Sequence, residues 1–311
     1  MSRSCRNSRQ ALCRCVVPAL CGSCASIGRR QHMERPAGAQ PTHRDRADAR
    51  GMNLLPVTRT GDIRTSVGLV DPRLHRRAVR IARRHVNAAL GACSTSFSSE
   101  IVRTRRAGTG PVHISPLLAW IVSQSLEAAR LTDGAFDPTV RPGGTTKVLV
   151  GCGGSAQPPR RAAGWCTVRV DAGMLVMPHE TTLVLQPVAL AMAAQSAARE
   201  IYARCGSGAL VVAGASAAVA GETREWDIPG GLLPRGTART WAGPEAVVDP
   251  GSGREVVPLW REVVVTSPSA PAAAALAIAA SVWRTTAPER LAHLGVSARL
   301  TSLAGETTWV A

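Results

Sequence analysis

Apolar residues settle into a helical rhythm after Asp71. Leu74, Ala78, Ile81, Ala82 and Ala89 share one face, while the arginines between them fall on the opposite, solvated face. Asp71 can cap this helix, and Pro72 can take its first position, where a missing N–H costs nothing. A second helix follows. Ser115 is a good N-cap, Pro116 enters the first turn, and Leu117, Leu118, Ile121, Val122 and Ala128 form an apolar stripe to about Leu131. Asp133-Gly134 then breaks the helix. Beyond residue 140 short strands alternate with Ala-rich helices. Strands are expected at Val168 to Val170, Leu175 to Met177, Thr182 to Leu185, Leu210 to Ala213 and Val263 to Thr266. Helices are expected over 187–204, opened by Pro187, and over 270–283. There is no internal repeat and no strict β-α-β alternation, so the class is α+β, mixed sheets packed with Ala-rich helices.

Residues 1–51 lack any such rhythm. They read as a disordered basic leader, or as upstream sequence ahead of a start at Met52, with one domain over 52–311. No apolar run is long enough to cross a membrane as a helix. Arg14 interrupts what would be the apolar core of a signal peptide, so the expected compartment is the cytoplasm, with an exported form as the alternative.

The charge of +16 is concentrated in the front of the chain, where residues 1–110 hold 21 arginines against six acidic residues. That segment has little aromatic content, which argues against a specific nucleic-acid interface. Five cysteines lie in the first 24 residues, yet only Cys21 and Cys24 form a C-x-x-C pair and no second pair follows, so a zinc site is not expected. Cys93, Cys152, Cys166 and Cys205 are scattered. His75, His85, His113, His179 and His293 show no metal-ligand spacing. Gly151 to Gly154 reads as a flexible turn, and no phosphate-binding loop or nucleophile elbow occurs.

The informative stretch is LTDGAFDPTVRP, Leu131 to Pro142. Gly134 ends the helix and lets backbone approach a ligand closely. Phe136 offers a ring, and Asp137 and Thr139 place an acceptor and a hydroxyl on either side of rigid Pro138. An ordinary helix cap with an Asp-Pro turn would read alike. The string also resembles the T-x-G-A-F-D-P-T-V signature of the FAD:protein FMN transferases, the ApbE-like family. Three more segments are similar in order and spacing: Ala92 to Glu100, with Thr95 and Ser96 where the family has Arg and Phe; Val247 to Arg254; and Leu259 to Ala270.

The resemblance implies the ApbE-like fold and transfer of FMN from FAD to a Thr or Ser hydroxyl of a flavin-acceptor protein, with Mg²⁺ assistance. It places Gly134, Ala135, Phe136, Asp137, Pro138 and Thr139 at the flavin. The same alignment departs from the family elsewhere. Over Leu183 to Gln195, Val184 and Gln195 stand for Asp, Gln186 and Pro187 for two Gly, and Leu190 for Lys. Val211 to Ser216 keeps only Gly214 of its motif, and Ala246 replaces a His. Ala274 and Ile278 stand for the Asp and Thr implied as Mg²⁺ ligands, leaving the backbone carbonyl of Ala189 as the one remaining donor. Mg²⁺ requires oxygen ligands in near-octahedral array, and apolar side chains supply none. No catalytic residue can be assigned. The reading is therefore an FMN transferase-like protein whose activity can have been lost, with a non-catalytic flavin-binding module or an interaction protein on the same fold as alternatives.

Overall fold

The computed structural model describes residues 55–60, 63–94, 98–106, 110–140, 164–178, 181–222, 228, 233–243 and 247–311. The expected leader over 1–51, Gly151 to Gly154, His179, Ala246 and the centre of the Ala92 to Glu100 segment lie outside them. The described residues belong to one compact unit, Ala49–Ala311.

Its first half runs β1 (Leu55–Thr60), β2 (Ile63–Leu69), α1 (His75–Cys93), α2 (Glu100–Arg106), β3 (Val112–His113), α3 (Pro116–Leu131), β4 (Arg169–Asp171) and β5 (Met174–Val176). There follow α4 (Gln186–Cys205), β6 (Ala209–Ala213), β7 (Ser216–Ala220), β8 (Ala238–Ala242), β9 (Val247–Asp249) and β10 (Arg254–Val256). The chain closes with β11 (Trp260–Ser267), α5 (Ala270–Trp283), α6 (Ala287–His293), β12 (Ser297–Ser302) and β13 (Thr307–Val310).

The main sheet has eight strands in the order β1-β2-β6-β7-β8-β11-β12-β13, and every neighbouring pair is antiparallel. Strands β3, β5 and β4 form a small second sheet, and β9 pairs with β10. The class is α+β.

The period of two along β6 divides the two faces of the main sheet. Ala209, Val211 and Ala213 join the principal core beneath the helices. Leu210 and Val212 turn to a smaller cluster with Ala217, Val219, Ile228 and Leu233. Helices α4 and α5 lie on the first face and touch each other. From Ala273 to Ala277 every residue of α5 is buried, as are Ala279 and Ala280. A helix that is apolar all round must be enclosed on all sides, and alanine keeps it slim enough to sit between the sheet, α3 and α4.

The helix ends follow the capping chemistry. Asp71 accepts from the Arg73 N–H at 2.9 Å, initiating a single 3₁₀ turn at Pro72 that runs on into α1. Ser115 Oγ accepts from the Leu118 N–H at 3.2 Å. Thr182 to Leu185, expected as a strand, is instead irregular chain leading into α4. Its Val184 N–H donates to the Pro138 carbonyl at 2.7 Å rather than to a ladder. No helix among the described residues is long and apolar enough to cross a membrane.

Candidate functional site

The end of α3 sets the first wall of the site. The Asp133 N–H donates to the Arg130 carbonyl and the Gly134 N–H to that of Ala129, at 3.2 and 2.8 Å. This paired closure turns the chain sharply out of the helix, with φ of 52° at Asp133 and 79° at Gly134. Glycine is needed at 134 for space as well, since a Cβ there would meet Trp165 Nε1 at 3.0 Å. Thr132 Oγ1 then accepts from the Phe136 N–H at 3.1 Å.

Asp137 organises the rest of the loop. Its Oδ1 accepts from the Thr139 N–H at 2.8 Å and from Thr139 Oγ1 at 2.7 Å, and its Oδ2 accepts from the Trp165 N–H at 3.3 Å. The Arg130 guanidinium lies 5.8 Å from the Trp165 ring centre and helps hold that ring over the turn. Helix α3 is itself fixed from behind. Glu100 at the start of α2 accepts from the Ser115 N–H and from Ser115 Oγ, both at 2.6 Å.

Beside this loop lies a cavity of about 600 Å³, within the range of small-molecule sites. Seven separated segments meet around it: Ile63 of β2, Ala135 to Asp137 and Val140 of the loop, Val184 with the start of α4, the β6–β7 turn, the end of β8, the β9 region and the middle of α5. Gly214 at the turn has a φ of 59° and belongs to a two-residue connection. Ser216 and Thr240 are paired across β7 and β8, and their hydroxyls bond each other at 2.9 Å. Both line the cavity together with Trp241, which also packs against the small cluster.

Of the sequence-expected flavin residues, Ala135, Phe136 and Asp137 line the cavity. Gly134, Pro138 and Thr139 do not, and they shape the loop behind it. Ala189 lies in the first turn of α4, 1% exposed and outside the lining. A carbonyl there points along the helix towards the N–H four residues on. The substituted positions Val184, Gln186, Pro187, Leu190, Ala274 and Ile278 all line the cavity.

A Mg²⁺ ion does not fit these residues. Val184, Leu190, Ala274 and Ile278 offer no side-chain oxygen, and both oxygens of Asp137 already hold the loop together. Among the described residues no three His, Cys, Asp or Glu side chains cluster as metal ligands. Asp249, near the cavity, is likewise engaged, with Oδ1 accepting from the Gly251 N–H and Oδ2 from Ser252 Oγ.

Two contacts and one residue escaped the sequence reading. Ser216 ends the Val211 to Ser216 segment, but nothing in the sequence singles out Thr240, and the two meet only through strand pairing. Glu100 did stand at the end of the segment resembling the family's S-E, but its anchoring of Ser115 depends on tertiary contact.

The comparisons with known proteins agree with this geometry. No curated protein sequence matches significantly. The apo flavinyl transferase ApbE of Pseudomonas stutzeri superposes with a TM-score of 0.66 at 16% identity, covering 79% of this chain and 91% of that one. The flavin transferase ApbE of Vibrio cholerae gives 0.63 at 17% identity, over 82% and 96% of the two chains. An ApbE protein of Thermotoga maritima gives 0.62 at 18%, over 79% and 93%. At such identities these likenesses speak to the fold. A family model, however, matches residues 63–231, more than half of the sequence, and the chain belongs to the ApbE family.

Proposed function

We propose that this chain is a flavin-holding member of its family, in which Mg²⁺-assisted transfer of FMN from FAD to an acceptor protein is no longer supported. One observation carries the reading. Five motif segments converge on a single cavity of about 600 Å³, and the positions implied as metal ligands are Ala274 and Ile278 on its α5 wall. The retained loop supports flavin binding, because Phe136 and Asp137 keep their places in a fixed turn. The apolar wall removes the Lewis acid on which cleavage of a diphosphate would rely.

The test is titration of the full chain with FAD at increasing Mg²⁺, monitored by flavin fluorescence, beside an assay for covalent flavin on a Thr- or Ser-containing acceptor peptide. The expected result is flavin binding that Mg²⁺ does not change, with no covalent product. Mg²⁺-dependent attachment of FMN, abolished in Asp137→Ala, would overturn the loss of transfer. Failure of FAD, FMN and riboflavin alike to bind would overturn the holding role and leave an interaction protein on this fold.

A further inference from the structure

The flavin-holding role leaves open which flavin the cavity takes, and the charge of its lining bears on that choice. Asp137 is the only ionisable side chain among the described residues that line it, and no Arg, Lys or His is among them. Three of the backbone donors around it are also committed. The Val184 N–H goes to the Pro138 carbonyl, the Gly214 N–H to that of Arg64, and the Trp241 N–H to that of Ala215. The Ser216 and Thr240 hydroxyls bond each other. Helix α4 presents Gln186 and Pro187 to the cavity, and its N-cap Leu185 makes no side-chain cap. A helix end binds phosphate through free N–H groups, and Pro187 brings none. Leu190, which a cation would need to replace to face a phosphate, is 5% exposed and apolar.

We propose that the cavity selects an uncharged flavin of the riboflavin kind over the dinucleotide FAD. This rests on the flavin-holding role and narrows its ligand. A diphosphate moved from water onto this lining would lose its hydration and meet a carboxylate in place of cations. The isoalloxazine ring is flat and largely apolar, and it gains from the same lining by leaving water. The ribityl hydroxyls carry no charge and need only ordinary hydrogen-bond partners, which the Gln186 amide offers.

The experiment compares riboflavin, FMN and FAD by fluorescence quenching on the full chain in one buffer, repeated at high salt. Riboflavin is expected to bind more tightly than FAD by about tenfold, with FMN between them and with riboflavin affinity insensitive to salt. FAD binding as tightly as riboflavin or more so overturns the selection while leaving the flavin-holding role standing. No binding by any of the three overturns both. Leu190→Lys, checked for folding by its melting curve, is expected to narrow the gap between riboflavin and FAD. If that variant does not fold, the wild-type series alone decides.

Discussion

The cavity has two walls of opposite character. The loop wall, where Ala135, Phe136 and Asp137 reach the cavity, stands on a turn whose hydrogen bonds run inward: Asp137 is bonded by Thr139 and Trp165, and Thr132 holds Phe136. The helix wall, from α5, α4 and the chain entering α4, is apolar apart from Gln186, with Val184, Leu190, Ala274 and Ile278 facing the same space. Both walls suit the fold, but they do so by different means. The loop has no regular partner strand, so its polar groups must satisfy one another, and a change at Asp137 would be felt throughout the turn. The helices are held by burial, which accepts an alanine or isoleucine where a carboxylate or hydroxyl could stand. A scaffold built this way can lose the chemistry of one wall while keeping the geometry of the other.

The largest effect is expected from making the helix wall polar again. The double change Ala274→Asp with Ile278→Thr places a carboxylate among buried alanines without a partner, and it should cost about 3 kcal/mol of stability. Chemical denaturation in EDTA would show it. Adding Mg²⁺ should then restore part of that loss, because a ligand that binds only the native state stabilises it. The parent chain should show no such response. A parent that gains stability with Mg²⁺ would mean that the apolar wall is not what decides metal binding.

The loop wall answers next. Asp137→Ala leaves the Thr139 and Trp165 N–H groups without their acceptor, and should cost about 2 kcal/mol. Asp137→Asn retains an acceptor and should recover about half of that. Riboflavin affinity should fall with Ala and recover with Asn, in step with stability. Equal stability of all three proteins would remove the turn's hydrogen bonds from the account.

Much of the helical architecture is legible in the sequence because its signals are local. Ser115 and Pro116 announce α3, Asp71 and Pro72 announce α1, and the alanine runs mark α4 and α5 to within a residue or two. Strands are harder to read. β7 and β8 are mostly Ala, Ser and Arg, with Val219, Thr240 and Trp241 as their only strand-favouring residues, and their identity comes from pairing with β6 and β11. Thr182 to Leu185 misleads in the other direction, because Leu183 and Leu185 are buried without being held in a ladder. At the site, the loop can be read from one contiguous string. The opposite wall requires the α4 and α5 segments, far apart in the chain, to be aligned, and the pairing of Ser216 with Thr240 has no trace in the sequence because it exists only through strand register.

The smallest expected effect comes from the far end of α4, where the same helix turns polar. Glu200 accepts hydrogen bonds from Arg84 of α1 and, at 2.7 Å, from His85, and it pairs with Arg204 at 2.8 Å. The Arg84 guanidinium, helped by His85 and Arg204, draws its carboxyl down to about 2 against the partial opposition of burial. A depressed carboxylate pKa gives stability that is fully present above the unfolded value, near 4.5, and is lost as pH falls towards 2. Arg84 is largely exposed, so solvent screening keeps the contribution at or below about 1 kcal/mol. Glu200→Gln should therefore melt slightly lower than the parent at pH 7, and the difference should shrink through pH 4 and vanish near pH 2. Fourteen residues along the helix, about 21 Å from Gln186 at helical rise, this change should leave riboflavin affinity unaltered. A loss of affinity in Glu200→Gln would show that the two ends of α4 are coupled, and that the apolar wall depends on the α1–α4 packing as well as on its own side chains.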